Sequence, residues 1–165
     1  MLRITPAHQE DIPTIQFIAK NTWPNTFGHI LSTEQITYML DMMYSDAAII
    51  KQMTELQHKY ILILEDEKPA GYAAYEINYK GTPVIKLHKI YVLPEMQGKK
   101  AGQLLMDEVC EIGRIAHQDY ISLNVNRDNR AIKFYEKVGF EKVGEEDIDI
   151  GNGFFMNDAI MQRKL

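Results

Sequence analysis

The chain has 165 residues, 45% apolar and 25% charged, the composition of an ordinary globular protein and enough length for one domain over residues 1–165 with a substantial core. Eighteen Lys and Arg against 23 Asp and Glu give a net charge of −5, which argues against nucleic acid as a partner and is compatible with cationic small substrates. No apolar run approaches the ~20 residues of a membrane helix. The start Met1–Pro6 lacks the apolar stretch of a secretion signal, and the lone Cys110 cannot form an internal disulfide, so a cytoplasmic protein with no membrane partner is expected.

The first predicted element is a short strand, Leu2–Thr5, ended by Pro6-Ala7-His8. A helix follows over Asp11–Lys20, with Asp11 as N-cap and Ile12, Ile15, Ile18 and Ala19 as its apolar stripe. Pro24, Asn25 and Gly28 mark residues 22–30 as a loop. Ser32-Thr33-Glu34-Gln35 is a capping-box pattern opening a second helix, and Ser45–Met53 reads as a third. The period then changes: Tyr60–Leu64 and Ala70–Ile77 form a hairpin across a polar turn, and Val84–Leu93 is a long third strand. Gly102–Ala116 is an amphipathic helix with Leu104, Leu105, Val109, Ile112 and Ile115 inward. A strand at Tyr120–Val125, a helix at Arg130–Val138 stopped by Gly139, and a hairpin of Glu141–Ile150 with Phe154–Gln162 complete the chain. The order implies an α/β fold with a mixed sheet, parallel where the helix crosses from Val84–Leu93 to Tyr120–Val125.

The most informative stretch runs from Ile90 to Leu105. A β-branched, aromatic strand meets Pro94, then a turn with Gly98, Lys99, Lys100 and Gly102, then a helix N-terminus. Unpaired amides and the helix dipole at such a turn favour a phosphate, and glycine lets the backbone approach it closely. A second block lies downstream, Asn129-Arg130-Ala131-Ile132-Lys133-Phe134-Tyr135-Glu136-Lys137-Val138-Gly139-Phe140.

Together, Gln97-Gly98-Lys99-Lys100-Ala101-Gly102 and the Asn129–Phe140 block resemble the GNAT superfamily of N-acetyltransferases over nearly the whole chain. The region around Trp23-Pro24-Asn25-Thr26-Phe27 is loosely similar to bacterial spermidine/spermine N-acetyltransferases. The resemblance implies a GNAT fold, a twisted sheet of about seven strands flanked by about five helices. It also implies acetyl-CoA as cosubstrate and direct attack by a primary amine in a ternary complex. The coenzyme would be held by Ile90, Tyr91, Val92, Gln97, Gly98, Lys99, Lys100, Ala101, Gly102, Asn124, Asn129, Tyr135 and Lys137. The backbone of Ile90–Val92 would pair with the pantetheine arm at a splay between parallel strands. Tyr135 would protonate the departing thiolate. Where the family often has a glutamate, this chain has His88, whose imidazole suits general-base work near neutrality. Lys100 replaces a glycine usual in the family, which restricts φ there.

The acceptor pocket implied by the resemblance joins Trp23 and Phe27 to the last hairpin, where Glu145 and Asp147, with Glu146 and Asp149, would form an acidic rim for an amine. Trp23, Phe27, Tyr38, Met39 and Met42 fit core packing equally, and the acidic residues fit a solvated edge strand. His8, His29, His58 and His117 share no ligand-like spacing, so no metal is expected. Cys110 lies away from the second block, so no acetyl-cysteine intermediate is expected. A small molecule, polyamine included, is the first acceptor class. Protein N-termini or lysines are the second, and a non-catalytic acyl-CoA sensor is the alternative of another kind. A homodimer is compatible with the resemblance.

Overall fold

The computed structural model describes residues 1–165, with seven strands and five α-helices. Strand β1 (Leu2–Ala7) leads into α1 (Ile12–Phe27), α2 (Thr33–Tyr44) and α3 (Asp46–Thr54). Strands β2 (Lys59–Glu65), β3 (Lys68–Glu76) and β4 (Val84–Val92) follow, then α4 (Ala101–Ile115), β5 (Tyr120–Asn126), α5 (Ala131–Lys137), β6 (Glu141–Gly151) and β7 (Phe154–Lys164). The strands form one sheet in the order β1-β2-β3-β4-β5-β7-β6, and only β4 and β5 are parallel. No helix is long and apolar enough to cross a membrane.

Four expectations are corrected. Strand β1 continues through Pro6 to Ala7, which an edge strand permits because its outer side needs no N–H donor. Helix α1 does not stop at Lys20 but runs through Pro24 to Phe27. A proline inside a helix costs about 3 kcal/mol. Trp23, 1% exposed, and Phe27 extend the buried stripe of Ile15, Ile18, Ala19 and Thr22, their rings 4.6 Å apart. Burial of each large apolar side chain returns about 1.5–3 kcal/mol, enough to hold the last turn in place. Asp11 precedes α1 but does not cap it; its carboxylate accepts the His8 amide at 2.9 Å. In α4 the buried stripe is Ala101, Leu105, Met106, Val109, Cys110 and Gly113, while Leu104 and Ile115 are 40% and 71% exposed.

The capping signals hold in part. Ser32 Oγ accepts the Gln35 amide at 3.1 Å and Ser45 Oγ accepts the Ala48 amide at 3.2 Å. The Gln35 side chain does not reach back to its cap. It donates to the Phe155 carbonyl at 2.8 Å and so ties α2 to the last hairpin.

The feature that makes a site is a failure of pairing. Strands β4 and β5 pair only over Val84–Leu87 and Tyr120–Leu123, although β4 continues to Val92 and β5 to Asn126. Beyond Leu87 the two strands have no register, and their facing edges are left for another partner. On its other side β4 is held by β3 up to the Gly71–Val92 pair. A Cβ on Gly71 would meet the Tyr91 carbonyl oxygen at 2.6 Å, so glycine is what allows the strands to close there.

Candidate active site

A cavity of about 450 Å³ opens at the splay. Its wall carries Ile90, Tyr91 and Val92 from β4, Asn124, Val125 and Asn126 from β5, and Asn129, Ala131 and Tyr135 at α5. Trp23 and Phe27 from α1 and Gln97 from the glycine-bearing turn also line it, as do His58, Lys86, His88, Glu146 and Asp158. Most residues singled out from the sequence therefore meet in one place. Gly98, Lys99, Lys100, Ala101 and Gly102 adjoin it at the helix start without lining it. Lys137, Glu145 and Asp147 stand outside the lining.

The turn presents unpaired backbone donors. Gly98 has φ +83° and Lys100, the residue before α4, has φ +64° and ψ +15°. Lysine thus adopts the left-handed conformation that glycine would take freely, at some cost in strain. The amides of Gly98, Lys100, Ala101, Gly102 and Gln103 make no hydrogen bond within the chain. They form a set of free donors at the positive end of a 15-residue helix. Lys99 turns away, to Glu65 at 3.3 Å. Asn129 Oδ1 accepts the Ala131 amide at 2.9 Å and so steadies the start of α5.

Tyr135 is 8% exposed and packs edge-on to Phe134 and Phe140. Burial pushes its hydroxyl up to about 12, so it holds its proton throughout the physiological range. Trp23 and Phe27 serve core and cavity at once: both rings pack against Tyr91, at 5.9 and 6.4 Å.

Of the acidic rim expected on the last hairpin, Glu146 lines the cavity, and Glu145, Asp147 and Asp149 do not. Arg127 ties down Glu145, at 3.4 Å, and Asp147, and Lys142 also engages Glu145. The carboxylates in the wall are Glu146 and Asp158, paired across β6 and β7. Asn124 Nδ2 donates to both, at 3.4 and 3.3 Å, and Asn124 Oδ1 accepts Lys86 Nζ at 2.5 Å. A polar row thus crosses β4, β5, β7 and β6, and Arg127 closes its far end by donating to the Glu146 and Asp158 carbonyls at 3.1 and 3.2 Å. Asp158 is 4% exposed, and burial raises its carboxyl above the usual range. Strand alternation alone separates Glu146 from Glu145 and Asp147; only the hairpin's placement decides which set faces inward. Asp158, in an apolar strand, gave no sequence signal beyond its charge.

His88 occupies an irregularity of β4. Leu87 pairs with Tyr75 and Lys89 with Ala74, so His88 has no partner and the simple alternation of Lys86, His88, Ile90 and Val92 is interrupted. Its Nε2 lies 3.0 Å from Glu76 Oε1, and its ring stacks on His58 at 3.9 Å. Burial first, then Lys86 and Lys89, lowers the imidazole to about 4. Lys89 is buried without a carboxylate, donating to Gln52 Oε1 at 2.8 Å and Tyr60 Oη at 2.5 Å, and desolvation lowers it to about 7.

Comparison with known proteins agrees with this geometry. The family model described as "Acetyltransferase (GNAT) family" matches residues 19–140. An uncharacterized N-acetyltransferase of Mycobacterium tuberculosis is 27% identical over 157 residues, covering 94% of this chain and 98% of the relative. A spermidine N(1)-acetyltransferase of Thermoplasma acidophilum is 29% identical over 152 residues, covering 89% and 90%. The crystal structure of the PaiA N-acetyltransferase from Thermoplasma acidophilum in complex with coenzyme A superposes with a TM-score of 0.83 at 25% identity, covering 100% of this chain and 99% of that one. The ribosomal-protein-S18-alanine N-acetyltransferase of Escherichia coli shares the fold, with a TM-score of 0.74 at 18% identity, covering 99% and 94%. A splayed parallel pair, a donor-rich turn at a helix start and a family match across both belong together: the chain is a member of the acetyltransferase (GNAT) family and an N-acetyltransferase.

Proposed function

We propose that the protein transfers acetyl from acetyl-CoA to a primary amine of a small cationic molecule, a polyamine among the candidates, by direct attack in a ternary complex. The observation that carries the acceptor is the Glu146–Asp158 pair in the cavity wall, the acidic end of a cavity in which Arg127 is already engaged by Glu145 and Asp147 and Lys86 donates to Asn124 rather than to a carboxylate. An alkylammonium supplies a positive charge to face it. The name of the Thermoplasma acidophilum spermidine N(1)-acetyltransferase supports the same class.

In this reading the free amides of Gly98 and residues 100–103 at the start of α4 hold the pyrophosphate, and the open edge of β4 at Ile90–Val92 takes the pantetheine amides as a strand neighbour. Amides on that edge also stabilise negative charge developing on the thioester oxygen. Asp158 and Glu146 draw in the ammonium. His88, neutral near pH 7, takes one proton from the ammonium and passes it to solvent through the open cavity, so that the free amine attacks the thioester and the C–S bond breaks as the N–C bond forms. Tyr135 keeps its proton until the thiolate departs, donates it, and recovers the second proton that the nitrogen releases as the amide forms. Positioning of amine and thioester supplies most of the acceleration.

The test is free-thiol release from acetyl-CoA with a panel of diamines, polyamines, amino acids, monoamines and peptides. Turnover with cationic amines and weak turnover with peptides is expected. Preference for peptides would overturn the small-amine reading. Coenzyme binding with no thiol release from any amine would make the protein an acyl-CoA sensor.

A further inference from the structure

Three adjacent strands place a cluster that linear spacing conceals. His58 directly precedes β2, Glu76 ends β3, and His88 is the extra residue of β4. The register pairs Lys59 with Tyr75 and Tyr75 with Leu87, which brings all three side chains to one spot. One ligand-type atom from each lies within 4.8 Å of the others. Both histidines line the cavity.

His58 is the unexplained member. Its side chain is 12% exposed, its Nδ1 is buried with no partner, and its Nε2 lies 3.6 Å from Glu76 Oε1, too far for a hydrogen bond. His58 thus has one buried nitrogen with no partner, and a second without a hydrogen bond beside Glu76; a rotation of its ring that aims either nitrogen at an ion would give it a partner. Glu76 is committed to one short contact, to His88 at 3.0 Å. We propose that His58, Glu76 and His88 form a binding site for a divalent transition-metal ion of the zinc type, with the cavity supplying its open coordination position.

The donor chemistry suits that ion. Two imidazoles and a carboxylate are a familiar zinc set, and a three-residue set leaves one position for water or another ligand. Ligand atoms about 2.0–2.1 Å from a tetrahedral centre sit roughly 3.3 Å apart. The 3.0 and 3.6 Å separations here lie on either side of that value. One movement is required. The rings stack 17° from parallel, so their lone pairs run side by side, and one ring must rotate for both to meet an ion. Lys86 and Lys89, which lie on the same strand and line the same cavity, oppose the ion's charge and keep the site from being a tight structural one. A metal here would occupy the end of the cavity that holds His88. On the amine-acceptor reading above, it would therefore compete with the acceptor.

Isothermal titration of the full chain with Zn²⁺, without acetyl-CoA or amine, reads the site directly. Co²⁺ provides a second probe through the visible absorption of a four-coordinate ion. Saturable binding is expected below about 0.1 mM, weakened more than about 10-fold by His58→Ala and by Glu76→Gln, and unchanged by His117→Ala at an exposed position. Histidine NMR of the wild-type chain covers the case of an unfolded variant: Zn²⁺ should shift the His58 and His88 imidazole signals and leave His117 alone. Absence of binding at 0.1 mM, or equal binding by folded His58→Ala, would overturn the site. Inhibition of turnover by Zn²⁺, relieved by excess amine, is the further expectation. Its failure alongside intact metal binding would count against the acceptor reading and leave the metal site standing.

Discussion

Single side chains carry the chemistry, and three make separable predictions. Removing the Tyr135 hydroxyl with Tyr135→Phe keeps the ring that packs on Phe134 and Phe140. Steady-state kinetics should show kcat reduced about 10²-fold, the scale of a lost general acid, with the KM for acetyl-CoA unchanged. Because burial holds the hydroxyl at about 12, no basic limb below pH ~10 should come from it. Asp158 makes the opposite trade. Its folded carboxyl titrates above the unfolded value, so ionisation disfavours the folded state. That penalty is absent below the unfolded pKa, grows as pH rises from there through the folded one, and is complete above it. Asp158→Asn should raise Tm at pH 7 but not at pH 3, while raising the KM for a cationic amine at least ~10-fold. A lower Tm at pH 7 would contradict the assigned burial cost. Lys100 sits at φ +64°. Lys100→Gly should stabilise the fold by about 0.5–1 kcal/mol in denaturant melts. Its acetyl-CoA affinity should stay within ~30-fold if, as proposed, the free amides rather than the side chain hold the phosphate.

At the scale of elements, β4 decides the site. It is anchored by β3, released by β5 after Leu87, and interrupted at His88. The Gly71 contact fixes how closely its last residues approach β3. Gly71→Ala would drive a methyl group into the Tyr91 carbonyl oxygen at 2.6 Å and force β4 to shift toward the splay. A loss of about 1–3 kcal/mol in chemical denaturation is expected, together with a raised KM for acetyl-CoA. A destabilised variant with unaltered coenzyme KM would show that β4 does not shape that half of the cavity. Helix α1 teaches the same lesson from the other side. Its last turn was hidden behind Pro24, yet Trp23 and Phe27 repeat the helical spacing of Ile15, Ile18 and Ala19, and that periodicity was the stronger signal. Helix α4 had the right type and nearly the right ends, but its buried stripe runs through Cys110 and Gly113, because small residues are needed where the helix meets the sheet. A Cβ on Gly113 would come within 3.0 Å of Ile85 Cγ2.

For the whole molecule, a sheet opened between its two parallel strands keeps part of its backbone pairing for a ligand. Coenzyme A should therefore stabilise the entire fold. At 100 times Kd the gain is about 2.7 kcal/mol, or roughly 5–10 °C in Tm for a chain of this size. Tyr135→Phe should retain that shift, which separates binding from turnover; differential scanning calorimetry reads both. The sequence alone determined the element order and the parallel crossover, which depend on local periodicity, and its two short blocks of neighbouring residues carried the resemblance to the family that the comparison shows. Only the tertiary structure decided which face of the last hairpin looks inward, keeping Glu146 of the expected rim, adding Asp158 and leaving Glu145 and Asp147 outside the lining. It alone brought His58 and His88 onto Glu76. Strand register and one-residue bulges turn side chains from one face to the other, and they are set by pairing between segments distant in sequence, which no local pattern records.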